Sequence, residues 1–459
     1  MSDTIAGLPF WQLTFDKDGD TDKAASSAVV DEIASKGITD LVVFSHGWNN
    51  SQDTARRLYT RFFETMAPQL AQATRPTTVG LVGVFWPSQR WSDEPIPDFA
   101  AQDAQSGSGG GGAAGLDRAD DDIVLSDPSL DAQTLDQLKE LFPAGAGQLD
   151  RMAELLAGEP TADAARDFLT QMQDFAAATA EGSNDGEGET PSDSGAEPRM
   201  LEDGDAELFQ RYVDGLGETG VVVEESPGGA AGIGSGLAKI WHGAKEALRQ
   251  LTYWQMKNRA GVVGKKGLGP FVGRLNDAAA QVRVHLVGHS FGARVVSYAL
   301  AGLPDSASPS PVKSVTLLQG AFSHYAFADP HPFDANRKGA LAGRLSRIDG
   351  PLTACFSRHD GAVGIFYPLA SMAARDDSAA AIKPSVRWGG MGADGAQGVD
   401  AGLVTLQSAG GAYPFDAGKA LNIDASDVVR NGAAPTGAHS DIVHPELTWL
   451  VLSGGRIVG

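Results

Sequence analysis

Short apolar runs recur along this chain, and most lead through a turn into a stretch with helical spacing. Ile38 to Phe44 and Val79 to Phe85 read as strands, as do Val282 to Val287, Val312 to Leu318 and Leu352 to Phe356. A strand that is apolar on both faces belongs inside a parallel sheet with helices on either side. The intervening segments supply such helices. Ala24 to Lys36 ends at Gly37, and Ser51 to Gln72 places Leu58, Phe62, Met66 and Leu70 on one face. Pro68 is expected to kink or shorten the end of the latter. Leu237 to Arg259, Phe291 to Ala301 and a last helix from about Pro445 complete the set, with further strands at Phe10 to Phe15 and near Leu421 to Ile423. The alternation predicts an α/β chain with a mainly parallel sheet.

One block departs from this pattern. Between Ala101 and Ser235 there are 29 acidic and 6 basic residues, while the whole chain of 459 carries a net charge of −22, so the flanks are close to neutral. The block contains the glycine run Gly109 to Gly112, a Gly/Ser/Asp/Glu-rich stretch from Glu181 to Glu197 and another glycine-rich stretch from Gly228 to Gly236. Such compositions bury too little apolar surface to offset the entropy of ordering. Short helical faces lie between them, formed by Leu135, Leu138 and Phe142 and by Phe168, Met172 and Phe175. Residues 101–235 are therefore expected to be an acidic insertion, partly helical and partly disordered, in a domain built from residues 1–100 and 236–459.

Composition excludes several classes of function. A hydrophobic fraction of 42% is sufficient for a sizeable core. The acidic balance disfavours nucleic acid, whose phosphates it would repel. No apolar run approaches the length of a membrane-spanning helix. Met1 to Gly7 lacks the basic-then-apolar pattern of an export signal, and the single Cys355 can form no disulfide within the chain. Both features lead to the expectation of a cytoplasmic protein.

The residues Gly288-His289-Ser290-Phe291-Gly292 have the form G-x-S-x-G. In a chain with 57 glycines the pattern alone is weak. Its setting makes it specific, because Val282 to Val287 precedes it as a strand and Ala293 to Ala299 follows as a helix. A serine at a tight strand-to-helix turn presents its hydroxyl at the sheet's edge, and glycines two residues away on either side permit the close packing. The positive end of the following helix favours negative charge developing there.

His46-Gly47-Trp48-Asn49-Asn50 directly follows another strand. Acyl transfer needs two backbone N–H groups aimed at the developing oxyanion. Phe291 and Trp48 are the candidates, with Gly47 giving room and His46 acting as a hydrogen-bonded support of the loop.

These two motifs, with Phe85-Trp86-Pro87-Ser88 closing the next strand, resemble the α/β-hydrolase superfamily, particularly its bacterial serine esterase and lipase-like members. The resemblance covers residues 8–95 and 240–459. It implies an α/β-hydrolase fold, no metal or organic cofactor, and a triad in the chain order Ser, acid, His. The acid is then sought after a later strand. Asp360, in Ser357-Arg358-His359-Asp360-Gly361, occupies that place, with Asp329, Asp424 and Asp427 as rivals. Only His439 and His444 follow Asp360. His439 lies in a loop of small residues and is the preferred base, whereas His444 precedes Pro445 at a helix start. The insertion falls between the oxyanion loop and the elbow, ahead of the position common for a lid in this superfamily.

Other signals carry less. Asp16 to Asp22 has a calcium-loop flavour but places Thr21 where the loop glycine belongs, and reads as a hairpin-type turn. Gly232 to Gly236 lacks G-x-G-x-x-G spacing and reads as linker. Gly261 to Lys266 is too short for a phosphate loop and reads as a basic loop or helix end. His285 and Cys355 are expected in the core, and Trp86 and Trp91 as packing at strand ends or the lining of an acyl pocket.

The expected activity is hydrolysis of a small or lipid-like carboxylic ester through an acyl-enzyme, with Ser290 as nucleophile. The same residues could serve an amidase, thioesterase or cofactor-free peroxidase. A different class is a catalytically silent scaffold of the same fold, binding a protein partner through the acidic insertion.

Overall fold

Leu41, Val42, Val43 and Phe44 are fully buried, as a strand flanked by strands and covered on both faces must be. The computed structural model describes residues 3–88, 91, 123–125, 128–179, 208–210, 213–214, 221–223, 233–333, 335–366, 389–432 and 436–459. The strands are β1 (Asp3–Ile5), β2 (Leu8–Thr14), β3 (Asp40–Ser45), β4 (Val79–Phe85), β5 (Ile123–Leu125), β6 (Val221–Val223), β7 (Arg283–His289), β8 (Val312–Leu318), β9 (Leu352–Phe356), β10 (Ala401–Thr405) and β11 (Ala420–Asp424). Nine of them form one sheet in the order β1-β2-β4-β3-β7-β8-β9-β11-β10. β1 pairs antiparallel with β2, and the other pairings are parallel. β5 and β6 pair with each other in a separate parallel ribbon.

The helices are α1 (Lys23–Ser35), α2 (Gln52–Met66), α3 (Ala132–Leu141), α4 (Ala146–Ala157), α5 (Ala162–Thr179), α6 (Ile233–Val262), α7 (Gly269–Ala278), α8 (Phe291–Gly302), α9 (Met391–Asp394) and α10 (Pro445–Gly454). Two apolar clusters lie on opposite faces of the sheet. One joins α1, α6, α7 and α8 to Val43, Leu286 and Leu317. The other joins α2 and α10 to Val42, Phe44, Val287 and Leu318. Neighbouring residues such as Val42 and Val43 thus serve opposite layers, as strand periodicity requires.

Local chemistry sets the helix ends. Asp22 and Ser51 cap α1 and α2, accepting from Ala25 N at 2.8 Å and Thr54 N at 3.2 Å. α2 stops at Met66 and tightens into a 3-10 turn, Ala67–Gln72, with Pro68 in its first turn, where the missing N–H does least harm. Asp16 Oδ1 accepts from Asp18 N and Asp20 N, at 2.9 and 2.8 Å, so this turn joins a strand to α1 and closes no hairpin. Residues 261–266 are not a loop: 261–262 end α6 and 263–266 lie in the turn that follows it. α6 passes through a π-helical turn, Val263–Leu268, straight into α7. Gly264 allows that turn to press on α8, since a Cβ there would meet Val295 O.

β1 and β10 were not expected. β10 is an edge strand largely open on both faces, so it needs no hydrophobic alternation and leaves little trace in the sequence.

Within the acidic block, α3, α4 and α5 are ordered helices. Leu138, Phe142, Leu149, Met152, Phe168, Met172 and Phe175 are buried with Trp241, Leu248 and Leu251 of α6. Lys245 Nζ donates to Ser129 O at 2.9 Å. The glycine run at 109–112, the stretch 181–197 and residues 228–232 lie outside the described residues. Among the described residues, no helix is long and apolar enough to cross a membrane.

The chain leaves β3 towards β4 on one side, and β7 later pairs with β3 on the other. Their carboxyl ends diverge at a topological switch point, where α/β sheets commonly open a crevice.

Candidate active site

β7 runs to His289 and α8 starts at Phe291, leaving Ser290 alone at the bend. Its φ of 56° and ψ of −122° lie where an L-residue is strained. The flanking glycines have definite roles. A Cβ on Gly288 would fall 2.5 Å from Ala293 Cα, and one on Gly292 would fall 2.5 Å from His46 O. Side chains at either position would push α8 off the strands beneath it.

Ser290 Oγ lies 2.8 Å from His439 Nε2, and His439 Nδ1 lies 2.8 Å from Asp360 Oδ2. All three residues are buried. A carboxylate only accepts, so Nδ1 carries the imidazole proton and Nε2 of the neutral ring accepts from the serine hydroxyl. Asp360 is fixed by its other oxygen, which accepts from Val363 N at 2.9 Å. Two loops bring the pair together. Asp360 follows β9 and bridges to Gly437 in the loop before α10. Ala438 N donates to His359 O at 2.8 Å, and Gly361 N to Thr436 O at 3.1 Å. Gly437 itself has a φ of 58°, a backbone state that glycine holds without strain.

His289 steadies this loop from below. Its Nε2–H donates to His439 O at 2.9 Å. Burial, then the neighbouring His439, lowers its pKa to about 3, so it stays neutral and keeps that donor.

The loop after β3 closes against Ser290. A Cβ on Gly47 would fall 2.5 Å from Ser290 Cβ. His46 stacks on Trp86 at 5.5 Å, donates from Nδ1 to Gly47 O at 2.9 Å and accepts from Trp86 N at 3.4 Å. Burial lowers its pKa to about 4 against that favourable bond, so it is a neutral support placed away from proton transfer. Asn50 Nδ2 donates to Trp48 O at 2.9 Å. Ser88 Oγ accepts from Asn50 N and donates to Asn50 O, at 3.0 and 2.9 Å. Trp48 also packs on Tyr253 of α6 and on Phe291, with ring centroids 5.2 and 6.0 Å away. Phe291, the first residue of α8, carries one of the N–H groups that no carbonyl within the helix can take.

The rival residues are engaged elsewhere. His444 Nε2 pairs with Asp441 at 2.8 Å ahead of α10. Asp329 holds Lys338, Asp424 accepts from Ser426, and Asp427 faces Arg358. His285 is buried between Ser314 Oγ and Asp40 Oδ1, at 2.9 and 3.0 Å. Cys355 is buried, which pushes its thiol pKa up. Trp91 is buried beneath the Arg249 guanidinium, 4.7 Å from its ring centroid, and its backbone N–H donates to Asn49 Oδ1 at 2.5 Å. Among the described residues, no group of three or more His, Cys, Asp or Glu is arranged to hold a metal.

Comparison with protein-family models, curated proteins and solved structures finds no match to this chain.

Several residues of the site have no sequence signature. Tyr59 of α2 accepts from His46 N at 2.9 Å and donates its hydroxyl proton to Val84 O, tying the loop after β3 to β4. Asn49 has a φ of 61° and thereby holds Trp91 through its side chain. Gln319, after β8, has a φ of 46° and is buried.

Proposed function

We propose that this chain is a serine hydrolase of the α/β-hydrolase fold, cleaving a carboxylic ester through an acyl-enzyme. The observation that carries the reading is the continuous relay from Ser290 Oγ through His439 to Asp360, with both hydrogen bonds at 2.8 Å. The strained serine at the switch point and the sheet order with an antiparallel first strand support the fold assignment.

In the proposed reaction, His439 Nε2 takes the Ser290 proton as Oγ bonds to the ester carbonyl carbon. The carbonyl π pair moves onto oxygen, where Trp48 N–H and Phe291 N–H stabilise it with the N-terminus of α8. Collapse restores the carbonyl and breaks the bond to the alcohol oxygen, which receives the proton from His439. Water then repeats the sequence on the acyl-enzyme and releases the acid. Asp360 keeps the imidazole oriented and stabilises its protonated form.

The test is labelling with an active-site-directed fluorophosphonate, followed by turnover of 4-nitrophenyl esters. Wild type is expected to label at one site and Ser290→Ala not at all. A folded wild type that neither labels nor hydrolyses would overturn the reading.

A further inference from the structure

The ladder between β7 and β8 ends at His289 and Leu318, so the next residues on the two chains are Ser290 and Gln319. Ser290 N still donates to Leu318 O at 3.1 Å, and Ala321 N donates back to Ser290 O at 3.2 Å. Neighbouring strands lie about 4.8 Å apart. The Gln319 backbone is therefore the lateral neighbour of the nucleophile, on the side away from Gly47.

Two costs coincide at this residue. Its φ of 46° is unfavourable for a side chain with a Cβ. Gly392 covers its backbone so closely that a Cβ there would fall 2.5 Å from Gln319 C. The side chain is also completely buried, yet among the described residues neither Oε1 nor Nε2 has a hydrogen-bond partner. A methionine would fill similar space without an unsatisfied amide, so packing gives no reason for glutamine here. Strain combined with an orphaned buried amide, on a residue whose backbone adjoins that of Ser290, has the character of a binding residue held ready at the expense of stability.

We propose that Gln319 is a specificity-determining residue, whose carboxamide binds an amide group of the substrate close to the scissile carbonyl. A carboxamide presents a donor and an acceptor side by side, and another amide complements both at once. A site built to hydrogen-bond such a group discriminates strongly against an analogue that lacks it, because its own polar atoms then stay unpaired. The inference rests on the serine hydrolase reading and adds the class of ester.

The experiment compares two near-isosteric pairs. 4-Nitrophenyl N-acetylglycinate is set against 4-nitrophenyl pentanoate for an amide on the acyl side. The butyrate of glycolamide is set against propyl butyrate for one on the alcohol side. Wild type is expected to favour the amide-bearing member of at least one pair by about 10-fold or more in kcat/KM. Gln319→Met should abolish that ratio, by lowering kcat/KM for the amide-bearing ester to the value of its plain counterpart in the same variant, and raise Tm by about 1–3 °C. Gln319→Glu, which keeps acceptors and loses the donor, should reduce the ratio partway and serves if the methionine variant does not fold. No preference in wild type, or a ratio that both variants preserve, overturns the proposal. Fluorophosphonate labelling separates the failures: unlabelled wild type removes the hydrolase reading, whereas labelled enzyme without an amide preference removes only this inference.

Discussion

Gly47 and Ser290 approach each other so closely that a single methyl group would not fit between them, since a Cβ at position 47 would fall 2.5 Å from Ser290 Cβ and 3.1 Å from its Oγ. The glycine needs no unusual backbone angle, so an alanine could be built there, and the cost would fall on the neighbour. On the proposed reading, the short distance lets the loop after β3 approach Ser290 so that its amides would face a developing oxyanion.

Gly47→Ala should accordingly damage chemistry far more than folding. A displacement of the loop or of Ser290 by about 1 Å is sufficient to lower turnover by about 10²-fold. Ester hydrolysis and thermal melting measured on the same preparation check this. Turnover at the wild-type level would mean that the loop is not an element of the catalytic site.

Asp360→Asn should lower kcat by about 10³–10⁴-fold, because the amide can present a donor to Nδ1 and favour the wrong tautomer. His439→Ala should be at least as damaging. The rivals provide the controls. Asp424→Asn, Asp427→Asn and His444→Ala alter groups bonded to Ser426, Arg358 and Asp441, and each should retain most activity.

The elbow was legible because its constraints are local: a strand, two glycines, a serine and a helix within a short span. The partners of Ser290 were not local. His439 and Asp360 lie 149 and 79 residues from the atoms they bond. The sequence narrowed the choices through an order borrowed from a resemblance, and the bridge between Asp360 and Gly437 that joins their loops has no signature. β10 escaped notice because an edge strand open on both faces requires no alternation. Gln319 escaped for another reason. An amide is recognised as orphaned only after every neighbour has been placed. In the acidic block the apolar faces of α3 and α5 were visible, and so was the helix from Leu237 to Arg259, but that these faces pack on it was not.

Stability should fall on mild acidification. Burial holds His46 and His289 at pKa values of about 4 and about 3, and also lowers that of His285. The folded chain keeps the rings of His46 and His289 neutral, whereas the unfolded chain protonates them near pH 6.5. Their contribution is thus intact above pH 6.5 and is lost as pH falls from there towards 4, by up to about 1.4 kcal/mol per pH unit for each ring. Urea midpoints measured from pH 8 to pH 4.5 should be level at the alkaline end and decline below 6.5. His289→Asn removes one of the titrating rings and should make the decline shallower. A midpoint independent of pH across this range would contradict the neutral assignment.

The helices of the acidic block should unfold together with the sheet domain. Phe168 of α5 is fully buried, with its ring 6.2 Å from Trp241 of α6 and 5.8 Å from Phe209. α6 in turn reaches the candidate site through Tyr253, whose ring lies 4.5 Å from that of Phe291. The apolar contacts are continuous from the block to α8, the helix that follows Ser290. Phe168→Ala should therefore cost about 3–5 kcal/mol and shift a single cooperative transition, followed by circular dichroism and by loss of ester hydrolysis in urea. If the block were a separate unit, the variant would instead show an early partial transition with activity retained beyond it.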